Sequence, residues 1–213
     1  QLDNVGVEIP RALFIGEAWV ATQLQKAKEQ GAKYALCHNL AAVELARKAG
    51  LKVHLGFGMN VYNSYTADAF AGDEVTLSFE LTLRQAAQMS RGGIMAYGRL
   101  PLMVLEHCLM RNRTGKCSCQ NAAPGTSKLT DKTGAEFPII KDGDSCRNIL
   151  LNGKKLNWLD RQDDLARLGL WATRLYFTTE NAREVDRVLA AWTNPTPFDP
   201  GACTRGLYLR GLD

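Results

Sequence analysis

Four cysteines, Cys108, Cys117, Cys119 and Cys146, fall in one stretch with the spacing C-x8-C-x-C-x26-C, and Arg111, Arg113, Lys116 and Arg147 stand among them. Cations lower a thiol's pKa, so the stretch favours thiolates, the form that binds metals. Three chemistries use clustered thiols of this kind. Disulfides need an oxidising compartment, and the opening QLDNVGVEIP has neither the basic start nor the apolar centre of a secretory signal. A structural zinc site normally shows two close pairs such as C-x2-C, and the spacing here is irregular. Iron–sulfur ligands come from loops wrapped around a large cluster and tolerate irregular spacing, with nearby cations offsetting its negative charge. The residues alone favour iron–sulfur over zinc and leave both open. Cys37, by contrast, ends an apolar strand as a small hydrophobe, and Cys203 lies in a C-terminal loop.

Hydrolytic chemistry finds less in the sequence. There is no H-E-x-x-H and no G-x-S-x-G. His107 beside Cys108 does not make a dyad, because adjacent side chains seldom point so as to share a proton. No catalytic residue is assigned. A second set of polar residues follows the apolar strands: His38 with Asn39, Asn60 with Asn63, Ser78 with Glu80, and Tyr97 with Arg99. In barrels the loops after the carboxyl ends of parallel strands build the site. Asn60, Glu80 and Arg99 are therefore the candidate substrate pocket, with the arginine's fork of donors suited to an anionic group. Ser78 and Glu80 equally suit the capping of the next helix. His54, inside a strand, reads as a core or near-core histidine.

The elements that must position these groups alternate. ALFIG, from Ala12, reads as a strand and EAWVATQLQKAKEQG as its helix; YALCHN, KVHLGFG and EVTLSFE each repeat the pattern, and IMAYG closes it. Such alternation needs crossover connections and gives a parallel sheet. Its spacing is that of a (β/α) barrel, whose eight units take about 250 residues. After Met103 the rhythm stops. SKLTDKTGAEFPII reads as two short strands around a turn, and WLDRQDDLARLG, WATRLYFTT and ENAREVDRVLAAW read as helix, strand and helix. The fold class expected is α/β. Residues 1–105 form an incomplete TIM-barrel-like parallel sheet, 106–156 a Cys-rich segment with a hairpin and a metal site, and 157–213 a terminal βα unit with its tail.

At 213 residues, 46% hydrophobic and 23% charged, the chain has the composition of a globular protein. No run approaches the roughly 18 apolar residues of a membrane span, and the expected location is cytoplasmic. A net charge of +4 allows RNA as a partner and equally fits a solvated surface. Beginning at Gln1, with five strands, the chain reads as a piece of a longer protein. Its open sheet edge then pairs with barrel strands upstream, or with a second copy as a homodimer.

YGRLPLMVLEHC, with GMNVYNSYT and TLSFELTL before it and LTDKTGAEFPI and SCRNILLN after it, resembles the collagenase-like peptidase family U-thirty-two, in the branch where a Cys-rich segment follows an LPLM stretch. The resemblance runs from about Ala12 to the closing TRGLYLRG. It implies a barrel-like domain entered partway round. That family carries a protease label, while relatives with the cysteine set are iron–sulfur proteins needed for hydroxylating pyrimidines in tRNA or ribosomal RNA. The implied cofactor is a four-iron, four-sulfur cluster in the full-length protein, with zinc or an empty site as the alternatives in this piece. The family's better-known signature, a histidine-glycine run leading into C-x6-C and a C-x3-C pair, is not matched residue for residue, so the ligand assignment of Cys117 and Cys119 stays open. RNA modification is the favoured function; a genuine peptidase and an inactive structural fragment are the alternatives.

Overall fold

The computed structural model describes residues 3–14, 16–89, 91–116, 125–142, 146–170, 172–194, 199 and 201–211. Two compact units divide the chain. Unit 1 comprises Gln1–Ile94, Arg167–Arg174 and Gly206–Asp213; unit 2 comprises Met95–Ala166 and Leu175–Arg205.

In unit 1, strands β1 (Gly6–Glu8), β2 (Tyr34–Cys37), β3 (Lys52–Leu55) and β4 (Glu74–Val75) form a parallel sheet in that order. Helices α1 (Glu17–Glu29), α2 (Leu40–Ala49) and α3 (Ser64–Phe70) make the crossovers. Helix α4 (Leu83–Ala87) follows the fourth strand, and β5 (Gly93–Gly98) begins here through a parallel bridge from Gly93 to Thr76. Residues in register share a face of a parallel sheet. One face therefore carries Ala35, Cys37, Val53, Leu55 and Val75, all buried, and the other carries Glu8, Leu36, His54 and Glu74. An apolar face can pack against helices without stranding polar groups, and α2, which packs on β2 and β3, buries Ala42, Val43, Ala46 and Ala49. Asn39 caps α2 by accepting the Ala42 N–H at 2.8 Å, and Gly50 ends it in the left-handed region at φ 70°.

The expected first strand from Ala12 is corrected. The strand is Gly6–Glu8, and Phe14 turns the chain with φ 47°. Three residues with a single apolar side chain, Val7, are too short to show a period, whereas the apolar run ALFIG imitates one. EVTLSFE also forms less strand than expected. Only Glu74–Val75 is regular, with Thr76 and Leu77 making single bridges.

Unit 2 contains the rest of β5, then β6 (Pro101–Leu105), α5 (Leu109–Thr114), β7 (Ser127–Thr130), β8 (Glu136–Lys141), β9 (Asn148–Leu151) and β10 (Lys155–Asn157). Helix α6 (Gln162–Arg167), β11 (Ala172–Tyr176), α7 (Ala182–Thr193) and β12 (Cys203–Thr204) complete the chain. The strands β6-β9-β8-β7 form an antiparallel sheet in that order, and the expected hairpin is β7–β8, paired from Ser127↔Ile139 to Thr130↔Glu136. A mixed sheet has the order β11-β5-β10-β12, with β10 antiparallel to β5 and parallel to β12. Tyr97, Leu159, Val188 and Ala191 form a buried cluster on which Leu175, Phe177 and Trp192 pack. Among the described residues no helix is long and apolar enough to cross a membrane.

Candidate functional site

The carboxyl ends of β1 to β4 gather the polar groups of unit 1. Glu8 ends β1 and His38 follows β2, and His38 Nε2 lies 2.9 Å from Glu8 Oε1. The other ring nitrogen, Nδ1, accepts the Gly58 N–H at 3.2 Å. That bond fixes the tautomer: Nε2 carries the proton and donates it to Glu8. Glycine is required on both sides, because a Cβ at Gly56 or Gly58 would run into His38. The histidine side chain is fully buried while that of Glu8 is 40% exposed, so a held carboxylate faces outward. Asn39 donates to the Arg11 carbonyl at 3.0 Å, and the Arg11 guanidinium stands 5.1 Å from the Phe57 ring centre.

Asn60 is exposed with φ 47°, and Glu80 is half-buried. The bridge Val61↔Leu77 and the bond from Ser78 N–H to the Val61 carbonyl, 2.9 Å, set their two segments side by side. Ser78 Oγ accepts the Glu80 N–H at 3.2 Å, but the cap of α4 is Thr82, which forms a reciprocal box with Gln85. Neither the Asn60 nor the Glu80 side chain spends its polar atoms on another described residue. Arg99, the third expected pocket residue, belongs to unit 2. Deeper in unit 1, His54 Nδ1 meets Glu74 Oε2 at 2.9 Å and its ring stacks on Tyr34 at 3.8 Å. Burial, followed by the Arg174 charge, lowers the His54 pKa to about 4. His54 is thus a neutral, satisfied histidine at neutral pH.

Unit 2 holds a second polar cluster. Tyr97, near the end of β5, donates its hydroxyl to Glu180 Oε1 at 3.3 Å; Lys155 Nζ reaches the same oxygen at 2.8 Å and the tyrosine oxygen at 3.2 Å. Glu180 Oε2 accepts the N–H groups of Thr178 and Thr179 at 2.9 and 3.0 Å. The carboxylate is fully buried. Its bonds outweigh burial and lower its pKa; Lys155 is raised, its partners overcoming desolvation, and burial raises Tyr97. The pair is therefore ionic, with the phenol neutral. Arg99 donates to the carbonyls of Asn152, at 2.9 Å, and Gly153.

The cysteine segment begins after β6. Cys108 is buried at the start of α5, and its sulfur accepts the Arg111 N–H at 3.4 Å. Cys146 is exposed, two residues before β9. Strands β6 and β9 pair with Leu105 opposite Asn148, and the Asn148 side chain accepts the Leu109 N–H at 2.8 Å. Both thiols therefore belong to one end of the same ladder, where Arg147 Nε lies 3.9 Å from Glu106. Cys117 and Cys119 lie outside the described residues. Among the described residues no three metal-ligating side chains converge. The Cys108 sulfur already accepts an amide N–H, as a metal-bound thiolate does, and Cys146 is exposed with Arg147 next to it in sequence, so the chemistry of these two residues fits a thiolate-bound metal or cluster. Cys37 does not share this character, since burial raises its thiol to about 12.

Glu8, Lys155 and Glu180 escape a reading of the sequence. Glu8 ends a strand too short to recognise, and the other two meet only through tertiary pairing. No protein-family profile, curated protein or solved structure matches the chain.

Proposed function

We propose that this chain is part of a protein of the U-thirty-two type that carries an iron–sulfur cluster and acts in the hydroxylation of pyrimidines in tRNA or ribosomal RNA. The observation that carries the reading is the placement of Cys108 and Cys146 at one end of the β6–β9 ladder. Those two thiols, with Cys117 and Cys119, would hold the cluster. A cluster so bound supplies one-electron chemistry. The chain's own residues bind and orient: Glu8, held by His38, and the unspent side chains of Asn60 and Glu80 present acceptors and donors that match the edge of a nucleobase. In this reading β1 to β5 are part of a TIM-type barrel, and the outer edge of β1 takes further strands of the same protein or of a second copy.

Peptide hydrolysis has less support. Both His38 nitrogens are engaged, burial lowers the His54 pKa to about 4 and leaves it a weak base, and Cys37 is a thiol held far from ionisation. A serine or cysteine nucleophile needs a base that is both free and basic enough to take its proton. The test is the hydroxypyrimidine content of RNA from cells carrying Cys108→Ser or Cys146→Ser. Each variant should fall to the level of a gene deletion. Retention of the modification in both, or a deletion that leaves RNA unaltered, would contradict the proposal.

A further inference from the structure

The Tyr97–Lys155–Glu180 cluster has more donors than acceptors. Each Glu180 oxygen accepts two bonds: Oε1 from Lys155 and Tyr97, Oε2 from the Thr178 and Thr179 amides. The carboxylate is spent. Lys155 uses two of its three protons, on Glu180 and Tyr97. Arg99 spends one amino group on two backbone carbonyls, while its Nε–H is buried with no partner. Its second amino group has no acceptor among the described residues. Thr178 Oγ1 is likewise buried and unpartnered. Two cations stand against one anion: Glu180 pairs with Lys155, and Arg99, two residues after Tyr97, bonds the carbonyls of the Asn152–Gly153 turn that leads into Lys155.

Leaving a buried donor unsatisfied costs about 1–3 kcal/mol, and such groups in a folded chain call for an explanation. What the cluster lacks is one negative charge with several acceptor oxygens. An arginine fork, an ammonium and a hydroxyl are the groups that hold a phosphate or carboxylate.

We propose that unit 2 contains an oxyanion site in which Arg99, Lys155 and Thr178, anchored by Glu180 and Tyr97, bind a phosphate or carboxylate group of a substrate. Glu180 sets the position: it fixes Lys155 directly and the 178–179 backbone through two amides. No thiol takes part. A chain with both Cys108→Ser and Cys146→Ser therefore keeps this site, and its failure is separable from that of the iron–sulfur reading.

The experiment is thermal unfolding of the full chain in rising inorganic phosphate, and separately in malonate, at constant ionic strength set with chloride. A ligand of the folded state raises the midpoint with its concentration. Stabilisation by phosphate alone assigns a phosphate site, and by malonate alone or by both a site for oxyanions that include carboxylate. Arg99→Lys keeps the charge and should weaken binding about tenfold. Thr178→Val, which removes an unpartnered hydroxyl, should leave the ligand-free midpoint unchanged or higher and weaken binding about fivefold, the worth of one net hydrogen bond. No stabilisation by either anion overturns the proposal. So does a Thr178→Val chain that binds as the parent does.

Discussion

His38 and His54 are both buried and both face a glutamate, yet only one of them holds a carboxylate out toward solvent. His38 is locked by the Gly58 amide and serves to position Glu8. His54 lies inside the sheet, and its low pKa has a thermodynamic consequence. Between its ordinary value of 6.5 and about 4, the unfolded chain takes up a proton here that the folded chain refuses. Stability must fall as pH drops through that interval. Glu74, raised by burial, works in the opposite direction, so the comparison that isolates the histidine is His54→Gln. Urea midpoints of the parent should decline from pH 6.5 to 4 more steeply than those of the variant; equal slopes would contradict the assignment. The cysteines divide in the same way. With its thiol raised to about 12 by burial, Cys37 should resist a thiol reagent at pH 8 while exposed Cys146 reacts, and unfolding should release it. Native-state labelling of Cys37 as fast as Cys146, read by peptide mass mapping, would argue against a sealed core at β2.

Among the elements, α7 owes its start to a reciprocal cap. Asn181 accepts the Glu184 N–H at 3.1 Å, and the Glu184 carboxylate accepts the Asn181 N–H at 2.8 Å. Asn181→Ala should destabilise the chain by about 1 kcal/mol, measured by urea denaturation, and no change would mean that packing through Val188 and Ala191 alone fixes the helix. Elements with such local signals were legible in the sequence. Helices α1, α2 and α7 combine apolar spacing with a stop or a cap, β7–β8 announces itself by the DKTG turn, and β2, β3 and β5 are runs buried on both faces. Strand β6 was not legible, because LPLMV gains its identity from pairing with β9, a partner far along the chain that no local pattern announces. The site follows the same division. Asn60, Glu80 and Arg99 could be placed by counting to strand ends, whereas the bonds that engage Arg99 come from the β9–β10 turn and appear only in three dimensions.

At the scale of the molecule, the parallel sheet presents a held glutamate and two unspent polar side chains at its carboxyl ends. Unit 2 carries the cysteine segment and a donor-rich polar cluster. A net charge of +4 allows contact with a polyanion and equally fits a solvated surface; affinity that came from charge would fall steeply with salt. The central claim, however, is the cluster on the four cysteines, and it is tested most directly without reference to any substrate. The protein should be purified under nitrogen and assayed for iron, acid-labile sulfide and visible absorption, alongside a Cys108→Ser, Cys146→Ser double variant. The account predicts about four irons and four sulfides per chain with broad visible charge-transfer absorption in the parent, and their loss in the variant. A parent that binds neither iron nor sulfide, or a double variant that keeps both, would contradict it.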